Sequence, residues 1–464
     1  MKFKNPLSYL PNSAISLPVL LVVALTWSWL FTVRIADLSS SLIAGYLSML
    51  TGFVVIVGIT TAVFALTVQH FLNEYVRRRS LTPWFLVKLF LMWAAVEWLV
   101  SIVVAAVWIG RNGSLDTVLP FGSLTPLLMY TPFGFLARLV GYHGLSALAV
   151  VLVFVVAGKK LRRYAPVVLG LVLVATGVAW LAYRQPDGPS VQAVIVAEEL
   201  DTKSPPIQTD ADLIVFPEYG LDFIGSGNAP ERIKPKNKEV FFVGSQKRFD
   251  GVGAQNVLTF GSTGQGFIEE RPKSRLIPGG EYLPYAVELP LKFFRQHSTL
   301  AQFQMADAIS KGPYNSRPLR ANPDLAVGSA VCASIISPED YRDFAGNGAT
   351  LFTNSASLSL FNSPLFSFQH RGLARFMATA NARGFLQSSN TADAFALDHN
   401  GRLLKRTAAV STAEVSIRTN HKKTPYTYLG EWPVFAGLAI LLLHFTKHIK
   451  ARQRKKPNVL KKIR

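Results

Sequence analysis

The chain has 464 residues, of which half are hydrophobic and only 16% charged, a balance too apolar for an ordinary soluble enzyme. Its formal net charge of +20 would suit a nucleic-acid partner only if the basic residues gathered on a folded domain. They do not: residues 184–432 hold 26 Lys/Arg against 24 Asp/Glu, whereas the rest of the chain holds 22 against 4, so no nucleic-acid partner is expected.

Met1 to Pro11 are weakly basic and lead into an apolar run with no small-residue cleavage pattern, which predicts an uncleaved first helix rather than a signal peptide. Five apolar segments follow, at about 13–33, 41–68, 84–110, 143–158 and 164–183, and a sixth lies at 433–446. Most can cross a hydrocarbon core of ~30 Å at ~1.5 Å per residue; the fourth and sixth are short. Basic clusters follow the second (Arg77, Arg78, Arg79), the fourth (Lys159, Lys160, Arg162, Arg163) and the sixth (Lys447, Lys450, Arg452, Arg454, Lys455, Lys456). An alternating path through six helices puts every cluster and both termini in the cytoplasm, with residues 184–432 outside. Residues 111–142 are then an external loop able to dip into the membrane or form a short hairpin. Within the third segment, Lys88 and Glu97 fall on opposite helix faces, one snorkelling and the other paired with a neighbouring helix. The chain divides into a membrane domain (1–183), an extracytoplasmic domain (184–432), and a final helix with a basic, lipid-facing tail (433–464).

Between the fifth and sixth segments, short β-rich runs alternate with polar or helical stretches. The runs are VQAVIV (191–196), DLIVF (212–216), EVFFVG (239–244), NVLTF (256–260), LAVGSAV (325–331), ATLFT (349–353), GFLQSS (384–389) and DAFAL (393–397). Residues 364–383 carry Leu365, Phe368, Leu373, Phe376 and Met377 at helical spacing. The alternation predicts a layered α/β domain.

Three chemically able residues sit at the ends of these runs or in the loops after them. Glu218 lies in FPEYG, Lys273 in the loop ERPKSRLIPGGEYLPY together with Glu281, and Cys332, the single cysteine, ends LAVGSAV. Taken singly, each has an ordinary explanation: a helix-terminal carboxylate, a solvated ammonium, a small buried hydrophobe. Together they form the set a thiol needs to attack an acyl group: a base for its proton and a cation for the tetrahedral oxyanion.

The order Glu, Lys, Cys and the words around each resemble the nitrilase superfamily. PKSRLIPGGEYLPY is similar to the lysine motif of its membrane-bound branch, the apolipoprotein N-acyltransferases. Asn256, Asn354, the pair Gln369–His370, Arg383 and SSNTADAFALDHNGR also resemble that family, as do WAAVEWL (93–99) and LARLVGYHGLSAL (136–148) in the membrane half. The likeness covers roughly residues 84–446. It implies an extracytoplasmic α/β/β/α sandwich in a bacterial inner membrane, here mounted on the six helices that the apolar segments predict. It also implies ping-pong transfer of a fatty acyl chain from a phospholipid to the N-terminal amine of a diacylglyceryl-cysteine lipoprotein. In that scheme Glu218 takes the thiol proton of Cys332, Lys273 and a backbone N–H near Ala333 hold the oxyanion, Glu281 orients Lys273, and Asn354 supports the site. No metal, nucleotide or other cofactor is implied. The sequence departs from the family at Ser334 and Ala380, where acidic residues are usual, at Phe361, where Trp is common, and in having six predicted helices instead of eight. Two alternatives stay open: a membrane-tethered amidase or acyltransferase with another acceptor, and a catalytically silent domain in an export or conjugation assembly.

Overall fold

The computed structural model describes residues 83–454 apart from 108, 112–122, 158–160, 200–205, 222–230, 250–253, 278–280, 298–299, 302–308, 359–363 and 409. The apolar segments expected at 13–33 and 41–68, the end of the basic tail and Phe361 lie outside the described residues.

The other four apolar segments are helical. They form α1 (Pro83–Val107), α3 (Ala137–Ala157), α4 (Ala165–Ala182) and α9 (Trp432–Arg454), with a short α2 (Thr125–Leu128) and a 3-10 turn at Pro132–Leu136 between α1 and α3. Three stretches, Pro83–Val103, Pro132–Val156 and Arg162–Ala182, are long and apolar enough to cross a membrane; Trp432–Leu443 is a shorter apolar helix. The fourth segment is therefore longer than its sequence suggested. Residues 124–142 are not an open loop but a mostly helical approach to it.

Two features hid that helix. Gly141 has φ +75°, breaking α3 near its start. The carboxylate of Glu431 accepts the backbone N–H groups of Tyr142 (2.7 Å) and His143 (3.1 Å) that the break leaves free. A Cβ on residue 141 would stand 2.8 Å from that carboxylate, so both backbone angle and space call for glycine. Arg138, which reads as a loop cation, is fully buried instead. It donates to the carbonyls of Thr379 (3.0 Å), Ala179 (2.8 Å) and His399 (3.0 Å) and to Asn400 Oδ1 (2.8 Å). Glu97 of α1 pairs with another helix, as expected: its two oxygens meet His143 Nδ1 (3.2 Å) and Ser146 Oγ (2.5 Å) of α3.

The rest of the described chain forms two facing sheets. The first runs β7 (Gly266–Pro272), β6 (Ala254–Ser262), β5 (Phe241–Phe249), β3 (Leu213–Val215), β1 (Ser190–Glu198) and β14 (Ser411–Arg418). Its centre, β5–β3–β1, is parallel. The second runs β8 (Leu319–Arg320), β9 (Ala326–Val331), β10 (Leu351–Ser357), β11 (Gly384–Asn390), β12 (Phe395–Leu397) and β13 (Leu403–Arg406), with β9–β10–β11 parallel. The sheets join only at one corner, where Ala197 and Glu198 of β1 pair with Ser389 and Asn390 of β11. Every β-rich run read from the sequence overlaps one of these strands.

Alternation along the strands sorts the core. Ala193, Ile195, Val215, Val243, Val327, Leu351, Leu386 and Ile417 fill the space between the sheets. On the outer face of the second sheet, Phe352, Phe385 and Phe395 pack under α6 (Pro338–Gly346) and α7 (Pro364–Asn381). The same cluster continues without a gap into Leu136 of the 3-10 turn, Tyr142 and Leu145 of α3 and Val172 of α4. One apolar core therefore spans the sheet, its helices and the long apolar helices.

The first sheet departs from the expected α/β/β/α layering. Among the described residues, its outer residues Val194, Val196, Ile214, Phe216 and Phe242 pack with Ile207 of β2 (Ile207–Thr209) and Ile233 of β4 (Ile233–Pro235), a two-stranded parallel pair, rather than with helices. The reason is local. SPPIQTD and ERIKPKNKEV carry prolines and polar residues with no 3.6-residue apolar period.

Candidate active site

Glu218 follows β3 and Cys332 follows β9, so both stand at carboxyl ends of parallel strands, where side chains converge in α/β sheets. Lys273 follows β7, an edge strand where the sequence predicts a loop. The three are buried near one another, with 3%, 5% and 3% of Glu218, Cys332 and Lys273 exposed.

Lys273 Nζ lies 2.9 Å from Glu218 Oε1 and 2.8 Å from Glu281 Oε1, an ammonium held between two carboxylates. Both carboxylates are themselves fixed. Asn256 Nδ2 donates to Glu218 Oε1 (2.6 Å), and the backbone N–H of Ile277 donates to Glu281 Oε2 (2.8 Å). The backbone is pinned as well: Lys273 N–H donates to the carbonyl of Asn256 (2.7 Å), and Gly312 N–H to that of Lys273 (2.9 Å). Downstream of Glu281, Tyr285 N–H donates to the carbonyl of Ile109, just past α1 (2.8 Å). The lysine loop is thus tied to the end of a membrane helix.

Cys332 begins a 3-10 turn, Cys332–Ile336, that contains Ala333. Its φ of +46° is a left-handed conformation that a β-carbon disfavours, as is the +61° of Tyr219, next to Glu218. Sγ points toward the carbonyl of Ser357 at 3.5 Å. Burial pushes the thiol well above its usual value, the negative charge of Glu218 adds to this, and Lys273 opposes it. Burial also raises the Glu218 carboxyl; Lys273 pulls it down, Glu281 raises it further, and a hydrogen bond with the Cys332 thiol lowers it. Burial opposes the charge on Lys273, but Glu218 and Glu281 outweigh it and hold the ammonium well above its usual value. The resting arrangement is a neutral thiol beside a carboxyl group whose proton affinity is raised by burial.

Glu281 lies against Lys273, 2.8 Å from its Nζ. Asn354 does not join the ion cluster. Phe352 lies on the helix-covered face of β10, so Asn354 shares that face, and among the described residues neither of its amide atoms has a hydrogen-bond partner. Ser334 lines a small recess with Lys273, Ser329 and Asp340, and Ala380 is wholly buried in the apolar core.

Two further contributors lie inside the quoted segments SSNTADAFALDHNGR and PKSRLIPGGEYLPY, where the sequence assigns them no role. Asn390 at the corner between the sheets donates its amide to the carbonyl of Glu218. Arg275, two residues past Lys273, forms a two-point ion pair with Asp340 of α6 (2.6 and 2.7 Å), fastening the lysine loop to the helix after the cysteine turn. The proximity of Arg275 to Lys273 was a weak signal; nothing in the sequence linked it to Asp340.

No family model matches the chain. Among curated proteins it is similar to an apolipoprotein N-acyltransferase of Photobacterium profundum, 25% identical over 239 residues that cover 49% of this chain and 45% of the relative. Another from Haemophilus influenzae is 26% identical, with 54% and 48% covered. The chain thus spans about half the length of these first relatives. A third, from Vibrio vulnificus, is 22% identical and aligns over 89% of this chain and 84% of its own. Among solved structures, a mutant amidase of Nesterenkonia from the nitrilase superfamily is 11% identical and covers 50% of this chain and 92% of its own, with a TM-score of 0.34. A Saccharomyces cerevisiae member of that superfamily is 13% identical, covering 50% and 91%, with a TM-score of 0.36.

Proposed function

We infer, from the premise that this chain is a divergent relative of the apolipoprotein N-acyltransferases, that it is a membrane-embedded N-acyltransferase working through a thioester on Cys332. The observation that carries the reading is the buried Glu218–Lys273–Glu281 cluster beside a thiol on a left-handed turn. Glu218 accepts the thiol proton as Sγ attacks the carbonyl carbon of a phospholipid ester. Charge builds on the ester oxygen, where Lys273 and the backbone N–H near Ala333 receive it, and the carbonyl re-forms as the lysophospholipid alkoxide leaves with the proton held by Glu218. The neutral N-terminal amine of a diacylglyceryl-cysteine lipoprotein then attacks the thioester. Its proton passes to Glu218 and the thiolate departs to be reprotonated. Glu281, itself fixed by the Ile277 N–H, holds Lys273 on the axis of these steps.

The charge pattern supports an extracytoplasmic site on a six-helix chain of a bacterial inner membrane, with both termini inside. The continuous core between the second sheet and the membrane helices supports a thiol held close to the bilayer, within reach of a lipid ester and a lipid-anchored amine. Ser334 and Ala380, lacking carboxylates, favour a second reading with a different acceptor: a membrane-tethered amidase or acyltransferase.

The test is Cys332→Ala in membranes, read by mass spectrometry of lipoprotein N-termini and by labelling with a thiol-reactive acyl probe. Loss of both the N-acyl group and the label is expected. Labelling lost with lipoproteins unchanged would favour the second reading, and full activity in the variant would refute the thioester.

A further inference from the structure

Outside the ion cluster, two guanidiniums on one face of α7 meet no carboxylate among the described residues. Phe368, Arg371 and Arg375 follow one another along a single face of α7, at the three- and four-residue spacing that aligns helical side chains. Tyr130, between α2 and the Pro132–Leu136 turn, lies across that face. Its ring stacks on Phe368 (4.2 Å between centroids, 10° between planes) and receives the Arg375 guanidinium over it at 4.4 Å. Its hydroxyl donates to the Phe368 carbonyl at 2.8 Å, which fixes the ring. Arg371 is near enough to act electrostatically on the same hydroxyl.

Neither guanidinium meets a carboxylate among the described residues. Arg371 spends one N–H on the carbonyl of Ser367, at 3.4 Å, and Arg375 is held by the ring face alone. A guanidinium stacked on an aromatic ring keeps its in-plane donors free, and two such forks side by side match the oxygens of a phosphate.

The place matters as much as the charge. Tyr130 immediately precedes Pro132–Val156, one of the helical stretches able to cross a membrane, and Leu127 beside it is 40% exposed. Ile335 and Ile336, in and beside the cysteine turn, pack in one core with Leu128, Met129 and Phe133 of the same approach segment. The cationic face is therefore joined to both the membrane end and the nucleophile turn.

We propose that Arg371 and Arg375, braced by Tyr130, bind the phosphodiester of a membrane phospholipid. On the acyl-transfer reading above, this cradle orients the donor so that its ester faces Cys332. The shared ligand chemistry is a phosphate oxyanion, from a lipid headgroup or from solution, and the experiment separates the two.

Full-length protein carrying Cys332→Ala, which cannot turn over, would be purified in a non-ionic detergent. It would then be titrated with a glycerophospholipid, with diacylglycerol and with inorganic phosphate, retained lipid being counted by native mass spectrometry and stabilisation read by thermal shift. Because nothing is transferred, the outcome stands whether or not the acyl-transfer reading does. Phospholipid retention should fall at least fivefold on adding R371Q and R375Q, with diacylglycerol retention unchanged. R371K with R375K should restore part of it and serves if the glutamine pair folds poorly. Arginine-dependent stabilisation by inorganic phosphate without lipid retention would make this a soluble-anion site and overturn the assignment. Equal phospholipid retention by all variants would overturn it as well.

Discussion

Glu281→Gln isolates the electrostatic part of the site without removing a reacting group. The substitution keeps the side chain's size and one oxygen for Lys273, but removes one of the two negative charges on the ammonium. Glu218 and Glu281 each lie within 2.9 Å of the same Nζ, so their nearest oxygens are less than about 6 Å apart. At an effective dielectric of about 20, two charges about 5 Å apart repel by about 3 kcal/mol, close to two pKa units as an upper bound. Glu281 raises the Glu218 carboxyl, so its neutralisation must lower it. The sign is then fixed. Glu218 acts as a base only when ionised, the rate rises with pH through its pKa, and the acid limb of the profile should move about one to two units toward lower pH. The assay is rapid-quench mass spectrometry of the Cys332 acyl-enzyme across pH, with iodoacetamide alkylation of the same thiol as a control that needs no acyl donor. An acid limb that stays in place, or moves upward, would show that Glu218 is not the base setting it.

Arg138→Met should destabilise the whole protein rather than one domain. It leaves the carbonyls of Thr379, Ala179 and His399 without their buried donors, at about 1–3 kcal/mol each before relaxation, while Arg138→Lys retains part of the stability. Thermal unfolding in detergent reads this, and a midpoint unmoved by Met would refute the bracing role. His370→Gln tests a pH effect. Burial, with Arg371 adding to it, lowers the His370 pKa to about 4 from an ordinary 6.5. Between those values the unfolded chain binds more protons, so the stability from a neutral His370 is fully present above about pH 6.5 and falls as pH drops toward 4, by about 2 kcal/mol at pH 5. Denaturant titration at pH 7 and pH 5 should show the variant losing less than the wild type, and equal losses would rule the effect out.

The sequence revealed most where burial is two-sided. VQAVIV, DLIVF and LAVGSAV are continuous apolar runs because parallel central strands are covered on both faces. GFIEERP and STAEVSIR became β7 and β14 without being foreseen. β7 is half-exposed and charged at the sheet edge, and β14 offers only Val415 and Ile417 as buried apolar residues, too few to stand out. The ion cluster was readable because its members sit in recognisable words, FPEYG and PKSRLIPGGEYLPY. Contacts between residues far apart in the chain, Arg275 with Asp340 or Glu431 with the break at Gly141, leave no local pattern. The helical approach at 124–142 was obscured by its own prolines and glycines, and by an arginine that looks solvent-bound until the carbonyls around it are in place.

Those carbonyls explain how the α/β domain is held on the apolar helices. Arg138 binds acceptors from three regions at once: Thr379 at the end of α7, Ala179 of the membrane helix α4, and the turn at His399–Asn400 between β12 and β13. Tilting the domain on its platform would pull at least one carbonyl from a buried guanidinium. From α7 the constraint passes through Phe376 to Tyr142 (5.1 Å, edge to face), and Tyr142 follows the break that Glu431 caps at the start of α9. On the opposite side, Tyr285 fastens the lysine loop to the end of α1. The cysteine turn rests on the first set of contacts and Lys273 on the second. The apolar helices thus fix both halves of the candidate site; on the acyl-transfer reading proposed above, a shift of either set by an ångström would separate the Lys273 ammonium from the carbonyl under attack.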